Sequence, residues 1–275
     1  MNYLIRQSLG ISSRIFYENF RSSHDIYTKP EGSRDLVTSL DIKINDALTR
    51  YFNKNEFKVY SEENVADSVL NLSNFAIIDP LDGTSNFRNG INNFGTIIGI
   101  VRNSRLVNGG ICTHSSGVTL WSDKNKLFAS RFYKHCNNPH SSAPAVFAYG
   151  TSPSKEAFQL INSLLKIDST FFPGFHRIGS TCAAALEFLA GKYSSFIAME
   201  VKFWDIAGIL SLFNSVPSLN TFVTYNKNSI SILCFNSNIG YSDYLLSVIN
   251  DSGIYLSQFD NKNFINSYIQ NQNNH

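Results

Sequence analysis

The sequence predicts an α/β protein assembled from two halves, an α+β first half over residues 1–143 and an α/β second half over residues 144–275. Three patterns carry this expectation. The N-terminal fifth holds two segments with apolar residues at helical spacing. Short alternating apolar runs then follow one another closely, as in an antiparallel meander. Beyond Ala145, strand-like runs alternate with helix-like ones, which implies helices layered on a sheet.

From Asn2 to Phe20, apolar residues at Leu4, Ile5, Leu9, Ile11, Ile15 and Phe16 recur mostly three, four or seven apart, marking an amphipathic helix. His24 to Arg34 is polar, contains Pro30 and Gly32, and reads as a mobile loop. A second helix carries Ile42, Ile44, Ala47, Leu48, Tyr51 and Phe52. Phe57–Tyr60 and Phe75–Ile78 are short strands, the second an apolar run that ends at two acidic residues. The meander comprises Phe94–Val101, Leu106–Thr113, Val118–Trp121 and Lys126–Ser130, and Asn138–Pro144 marks the boundary between the halves. In the second half the expected strands are Ala145–Tyr149, Tyr193–Met199, Phe222–Tyr225 and Ile230–Phe235. The expected helices are Ser154–Lys166, Ser180–Ala190, Trp204–Phe213 and Tyr241–Asn250, and the residues after Asn261 read as a polar, fraying tail.

Composition narrows the function classes. The 275 residues are 43% hydrophobic and 16% charged, enough for a substantial core, and the net charge of +2 gives no electrostatic footprint for nucleic acid or membrane. No segment approaches the roughly 20 apolar residues of a membrane span. Cys112, Cys136, Cys182 and Cys234 form no Cys-x-x-Cys pair, so zinc ribbons and redox pairs are not expected, and a reducing cytoplasm is the default location. His114, His135, His140 and His176 show no ligand spacing and read as structural or surface residues.

The chemistry concentrates in Ile77–Phe87, where Asp79 and Asp82 flank Pro80-Leu81 and are followed by Gly83-Thr84-Ser85. Pro80 lacks an N–H and biases Asp79 toward an extended backbone, so the chain leaves the strand in a set direction. Gly83 permits close approach of a ligand, and a helical turn from Thr84 would offer amides to an anion. Two carboxylates beside an anion cradle suit a divalent cation bridging protein oxygens and phosphate; an ordinary acidic turn is the competing reading. Asp41 reads either as a helix-start acid or as a site residue, and the Glu62-Glu63 pair either as solvated acids or as ligands at a strand end. Trp204-Asp205 reads locally as a buried anchor with a helix-capping acid, and Arg177–Thr181 as a loop and cap whose amides suit a polar substrate. Cys182 has no base beside it and reads as a buried structural thiol.

Taken together, these strings resemble the inositol monophosphatase superfamily of magnesium-dependent, lithium-sensitive phosphatases. The resemblance runs through Asp35-Leu36-Val37-Thr38-x-x-Asp41, Ser61-Glu62-Glu63, Asp79-Pro80-Leu81-Asp82-Gly83-Thr84, Arg177-Ile178-Gly179-Ser180 and Trp204-Asp205-x-Ala207-Gly208, in the family's order. It covers about residues 2–212 and weakens after them, where Asn214-Ser215-Val216-Pro217 replaces the family's Gly-Gly. It implies a layered αβαβα sandwich of the sugar phosphatase type and two or three Mg2+ ions held by Glu62, Asp79, Asp82, Asp205 and the Leu81 carbonyl. Thr84 and Asp41, with Glu62, would orient the attacking water. Gly83, Thr84 and Ser85 would hold phosphate oxygens. Lys29 would lie near the metals on its loop, and Arg177, Gly179, Ser180 and Glu200 would border the substrate. Inositol-specific members carry a glutamate seven residues before the Trp-Asp aspartate; that position is Ala198 here, with Glu200 two residues on.

The resemblance thus implies a phosphomonoesterase for an inositol or sugar monophosphate. A 3'(2'),5'-bisphosphate nucleotidase is the alternative, because its Arg-Ile-Gly-Ser-Ser segment closely resembles Arg177–Thr181. A regulatory protein on a phosphatase scaffold is the alternative of another class, and a homodimer is implied by resemblance only.

Overall fold

The computed structural model describes residues 2–20, 26–28, 36–130, 133, 143–150, 154–165, 174–226, 229–251 and 253–273. The chain opens with helix α1 (Asn2–Asn19), short strands β1 (Ile26–Thr28) and β2 (Leu36–Thr38), and helix α2 (Ser39–Lys54). Strands β3 (Lys58–Ser61) and β4 (Asn74–Asp82) lead to the short helix α3 (Thr84–Arg88) and to β5 (Gly95–Arg102), β6 (Arg105–Thr113), β7 (Val118–Asp123) and β8 (Lys126–Ala129). There follow β9 (Ala145–Tyr149), α4 (Lys155–Leu165), β10 (Phe175–Arg177), α5 (Thr181–Leu189), β11 (Ser195–Val201) and α6 (Phe203–Phe213). The chain ends with β12 (Leu219–Asn226), β13 (Ser229–Asn236), α7 (Ser242–Asp251), β14 (Ser257–Gln258) and α8 (Phe264–Asn273).

Among the described residues, besides the β1-β2 pair, two six-stranded sheets form, in the orders β3-β4-β5-β6-β7-β8 and β10-β9-β11-β13-β12-β14. The first is the expected meander, with β3 added parallel to β4 so that both strands point their C-terminal ends to one edge. In the second, β9, β10 and β11 are parallel and β11-β13-β12-β14 antiparallel.

Strand periodicity sorts the core into layers. Ala76, Ile78, Ile98 and Ile100 face α1 and α2 through Leu9, Leu40, Ile44 and Phe52. Their neighbours Phe75, Ile77, Ile97 and Ile111 face a central layer of α5, α6 and α8, shared with Val146, Phe196, Ala198 and Ile232 of the second sheet. On that sheet's far side, Phe147, Ile197, Leu233 and Phe235 pack against Ala157 and Leu164 of α4 and Leu245 and Ile249 of α7. The order helix, sheet, helix, sheet, helix is the αβαβα sandwich expected.

Four readings need correction. Ile26–Thr28, taken as loop, forms a strand antiparallel to Leu36–Thr38. Arg177, at the start of the Arg177–Thr181 loop reading, instead closes the strand Phe175–Arg177, which extends the parallel part of the second sheet beside β9. Strand β4 does not stop at Ile78 but continues through Pro80 to Asp82, because a register shift between Asp79 and Asp82 absorbs the proline. The supposed fraying tail is helix α8: Phe264 and Ile265 are each 1% exposed, and Tyr268 stacks on Phe203 with ring centroids 4.0 Å apart.

Candidate active site

The site gathers where β3 and β4 end and where α3, α5 and α6 begin. In a regular strand, residues three apart point to opposite faces. Asp79 pairs with Ile97 and Asp82 with Gly95, so three steps along β4 match two along β5. This bulge restores a common side for the two carboxylates. Gly83 then turns the chain with φ 81° to start α3, and a side chain there would meet the Asn93 carbonyl at 2.7 Å.

Each carboxylate is anchored by its own element. Asp41, 1% exposed, stands in the first turn of α2 and accepts from the Thr38 amide at 3.0 Å and from the Thr38 hydroxyl. Its other oxygen accepts from Thr84 Oγ1 at 3.3 Å, while Thr84 also points at the Leu81 carbonyl, 2.9 Å away. Asp79 is buried and accepts from the Leu81 amide at 3.0 Å. Asp205 takes the Lys202 amide at 2.9 Å in the first turn of α6, whose first two residues, Phe203 and Trp204, close on Tyr60. Glu62 follows β3, its amide tied to the Ile78 carbonyl at 3.1 Å.

Asp82 is held from across the molecule. It accepts from the Ser180 hydroxyl and from the amides of Cys182 at 2.8 Å and Thr181 at 3.2 Å. Ser180 caps α5 as expected, accepting from the Ala183 amide at 3.0 Å. The expectation that the α5 amides are free for a polar substrate is therefore corrected: they serve Asp82 and Ser180. Local sequence could not show this, because the partners lie about a hundred residues apart.

Electrostatics tie the acids together. Burial first, then the charge of Glu62, raises the Asp79 carboxyl well above the usual range, with Asp82, Asp205 and Asp41 adding to it. Asp205 is raised well above that range by the same two leading causes, opposed by Lys202. Burial lifts Asp82 to about 6 against the hydrogen bonds from Ser180, Cys182 and Thr181, and lifts Asp41 to about 6 against those from Thr38. Glu62, Asp79, Asp82 and Asp205 thus share one field, with Asp41 at its edge. Among the described residues no three His, Cys, Asp or Glu side chains are drawn into a closed cation cage. The donor set fits a hard divalent cation nonetheless: carboxylates and a backbone carbonyl, with buried like charges that a cation would relieve.

The substrate-side residues separate. Ser85 is exposed on the first turn of α3. Gly179 has φ 75° and abuts Asn86, whose amide nitrogen donates to the carbonyls of Asn93 and Ile178, both at 2.8 Å. Asn86 thereby joins the acidic motif to the Arg177–Ser180 segment, a link the sequence reading missed although Asn86 lies inside the motif string. Arg177 is exposed, its guanidinium 4.0 Å above the Tyr149 ring. Glu200 sits at the irregularity in β11 with φ 52° and accepts from the Ser154 amide at 2.6 Å, so its carboxylate is turned to the start of α4. Lys29 lies outside the described residues. Cys182 is buried with its thiol pushed well up by burial, in line with a structural role.

The profile described as "Inositol monophosphatase family" matches residues 5–211. The chain belongs to the inositol monophosphatase family. Members of this family are phosphoric monoester hydrolases, and the chain is an enzyme of that class. It is 23% identical over 240 residues to an inositol-1-monophosphatase of Caulobacter vibrioides, covering 83% of this chain and 93% of that one. It is 24% identical to the Nus factor SuhB of Pasteurella multocida over 71% of this chain and 75% of the relative. Among solved structures, an IMPase/NADP phosphatase complexed with Mg2+ and phosphate superposes with TM-score 0.74 at 14% identity, covering 93% of this chain and 97% of that one.

Proposed function

We propose that this phosphatase is magnesium-dependent and hydrolyses the monoester of a small phosphorylated polyol, an inositol or sugar phosphate. The observation that carries the reading is the convergence of Glu62 after β3, Asp79 and Asp82 on β4, and Asp205 on α6 into one repulsive field, with Asp82 fixed by the start of α5. Glu62, Asp79, Asp82, Asp205 and the Leu81 carbonyl would hold two or three Mg2+ ions. When bound, such ions supply Lewis-acid polarisation of the phosphate and a more acidic water.

The chain's own groups do the rest. Thr84 has one hydroxyl proton, directed to the Leu81 carbonyl or to Asp41, so its lone pairs are left to accept from the attacking water. Asp41, with its carboxyl raised to about 6, is suited to take the proton that Thr84 relays near neutral pH. Glu62 would fix the water from the end of the neighbouring strand β3. The turn at Gly83 presents the amides of Gly83, Thr84 and Ser85 toward the phosphate oxygens. No side-chain nucleophile is required. Lys29, Arg177, Gly179, Ser180 and Glu200 are assigned to the substrate side, Ser180 through Asp82 and Gly179 through Asn86; the chain is assigned to the cytoplasm, as a homodimer.

Phosphate release from myo-inositol 1-phosphate, fructose 1,6-bisphosphate and adenosine 3',5'-bisphosphate, with and without Mg2+, tests the reading. Mg2+-dependent release from a polyol phosphate, reduced at least about 100-fold in Asp79→Asn, is the expected result. Preference for the nucleotide would favour the bisphosphate nucleotidase alternative, to which the Arg177–Ser180 segment points. Release from none, or release without Mg2+, would overturn the proposal. Likeness to a Nus factor favours a second, regulatory role, and a partner interaction that survives Asp79→Asn would establish it.

A further inference from the structure

We propose that a buried relay, His114 acting through Thr96, locks the β4 bulge and so positions Asp79 and Asp82 as a pair. The inference rests on the metal reading of those two residues and adds the device that aims them.

Opposite Thr96, strand β4 carries two residues, Pro80 and Leu81, between the pairs Asp79–Ile97 and Asp82–Gly95. The ladder is interrupted there, and Thr96 Oγ1 donates to the Pro80 carbonyl at 2.7 Å in its place. Thr96 has a single hydroxyl proton, and a carbonyl only accepts. The contact of 3.0 Å between Thr96 Oγ1 and His114 Nε2 must therefore be donated by the imidazole. A neutral imidazole carrying its proton on Nε2 has a bare Nδ1, which lies 3.8 Å from Cys112 Sγ, and Thr119 donates to that sulfur at 3.5 Å. The chain of donors therefore runs in one direction, Thr119 to Cys112 to His114 to Thr96 to Pro80, and ends on the peptide between the two carboxylates.

The relay is built to hold one arrangement. Thr96 is 0% exposed, and His114 and Cys112 are each 1% exposed. The imidazole lies flat on Phe16 of α1, ring centroids 4.3 Å apart and 5° between planes, and its backbone carbonyl accepts from Tyr17 at 2.5 Å. Burial pushes His114 down to about 3, so it remains neutral at neutral pH. Loss of the Thr96 hydroxyl would leave the Pro80 carbonyl buried without its donor and free the bulge to relax. A one-residue slip there would turn Asp79 or Asp82 to the other face of the sheet.

The test uses the full chain. Long-range proton–nitrogen correlation spectra of the metal-free protein should show His114 protonated on Nε2 alone at pH 7; protonation on Nδ1 would overturn the relay. Calorimetric titration with Mn2+ alone then compares variants. Thr96→Val and His114→Leu should weaken binding about 10–100-fold, the range for groups that orient metal ligands. Thr96→Ser, which keeps the hydroxyl, and His114→Gln, which keeps a donor, should recover most of it. Wild-type-like binding by Thr96→Val would overturn the inference alone, whereas absence of Mn2+ binding by the wild type would overturn the metal reading and the inference with it. Should Thr96→Val fail to fold, the contrast of His114→Gln with His114→Leu decides, equal binding by the two being the overturning result.

Discussion

Replacing Asp41 by Asn should make the metal-free protein more stable while impairing catalysis. Burial raises the Asp41 carboxyl from 3.8 to about 6 in the folded chain, with Glu62 adding a smaller repulsion. At 1.36 kcal/mol per unit, holding this carboxylate ionised costs about 3 kcal/mol of stability. Between these two values the folded state binds more protons than the unfolded one, so stability falls as pH rises through the window and the full cost stands above about 6. Asn keeps an oxygen for the Thr38 amide and hydroxyl and gives a donor toward Thr84; losing the charge assistance of the two Thr38 bonds costs about 1 kcal/mol together. The net gain of about 2 kcal/mol corresponds to a Tm higher by roughly 3–6 °C at pH 8, shrinking toward zero near pH 4.5. Thermal melts in chelator at both pH values measure it. A Tm lowered equally at pH 8 and pH 4.5 would refute the reasoning, since Asp41 would then act only as a helix cap.

Other substitutions probe the supports of the site. Ser180→Ala removes a hydrogen bond to Asp82 and the cap of α5, and should cost about 2–4 kcal/mol in denaturant melts. The Thr181 and Cys182 amides still hold Asp82, so Mn2+ binding should weaken only about tenfold. Gly179→Ala places a methyl 2.8 Å from Asn86 Oδ1 at φ 75° and should cost about 1–3 kcal/mol while raising KM more than it lowers kcat. Tyr268→Ala should cost about 3–5 kcal/mol and reduce activity by displacing Phe203 and Tyr60, whereas a dispensable tail would leave both melts and rates unchanged.

The two α/β halves and the acidic motifs are legible because their signals are local, whereas the αβαβα stacking comes only as an implication of the family resemblance. The meander announces itself by alternation between turn residues, and Asp79–Thr84 keeps its chemistry within six residues. Helix α8 escaped because Phe264, Ile265 and Tyr268 lie among Asn and Gln, whose polarity masks the one apolar face that meets Phe203. The short strands Ile26–Thr28 and Phe175–Arg177 exist through pairing, the first with Leu36–Thr38 and the second with Ala145–Phe147, and three residues carry too little periodicity to reveal it. The bulge that aligns Asp79 with Asp82 is likewise a property of two strands, so spacing alone placed both acids at one point without saying how. The orientations of Arg177 toward Tyr149 and of Glu200 toward Ser154 depend on neighbours that no local string names.

The clamp on Asp82 has a thermodynamic corollary. Asp82 belongs to the first sheet, and the groups that grip it belong to the start of the helix that joins β10 to β11 of the second. A cation that favours the ionised, correctly turned Asp82 must therefore also favour the seating of α5 against β4, and by reciprocity any change that loosens that seating lowers cation affinity by the same factor. Affinity for the ion and cohesion between the sheets become two readings of one free energy. Substitutions deep in the central layer, far from any carboxylate, would then register first as a higher demand for the cation and only later as unfolding.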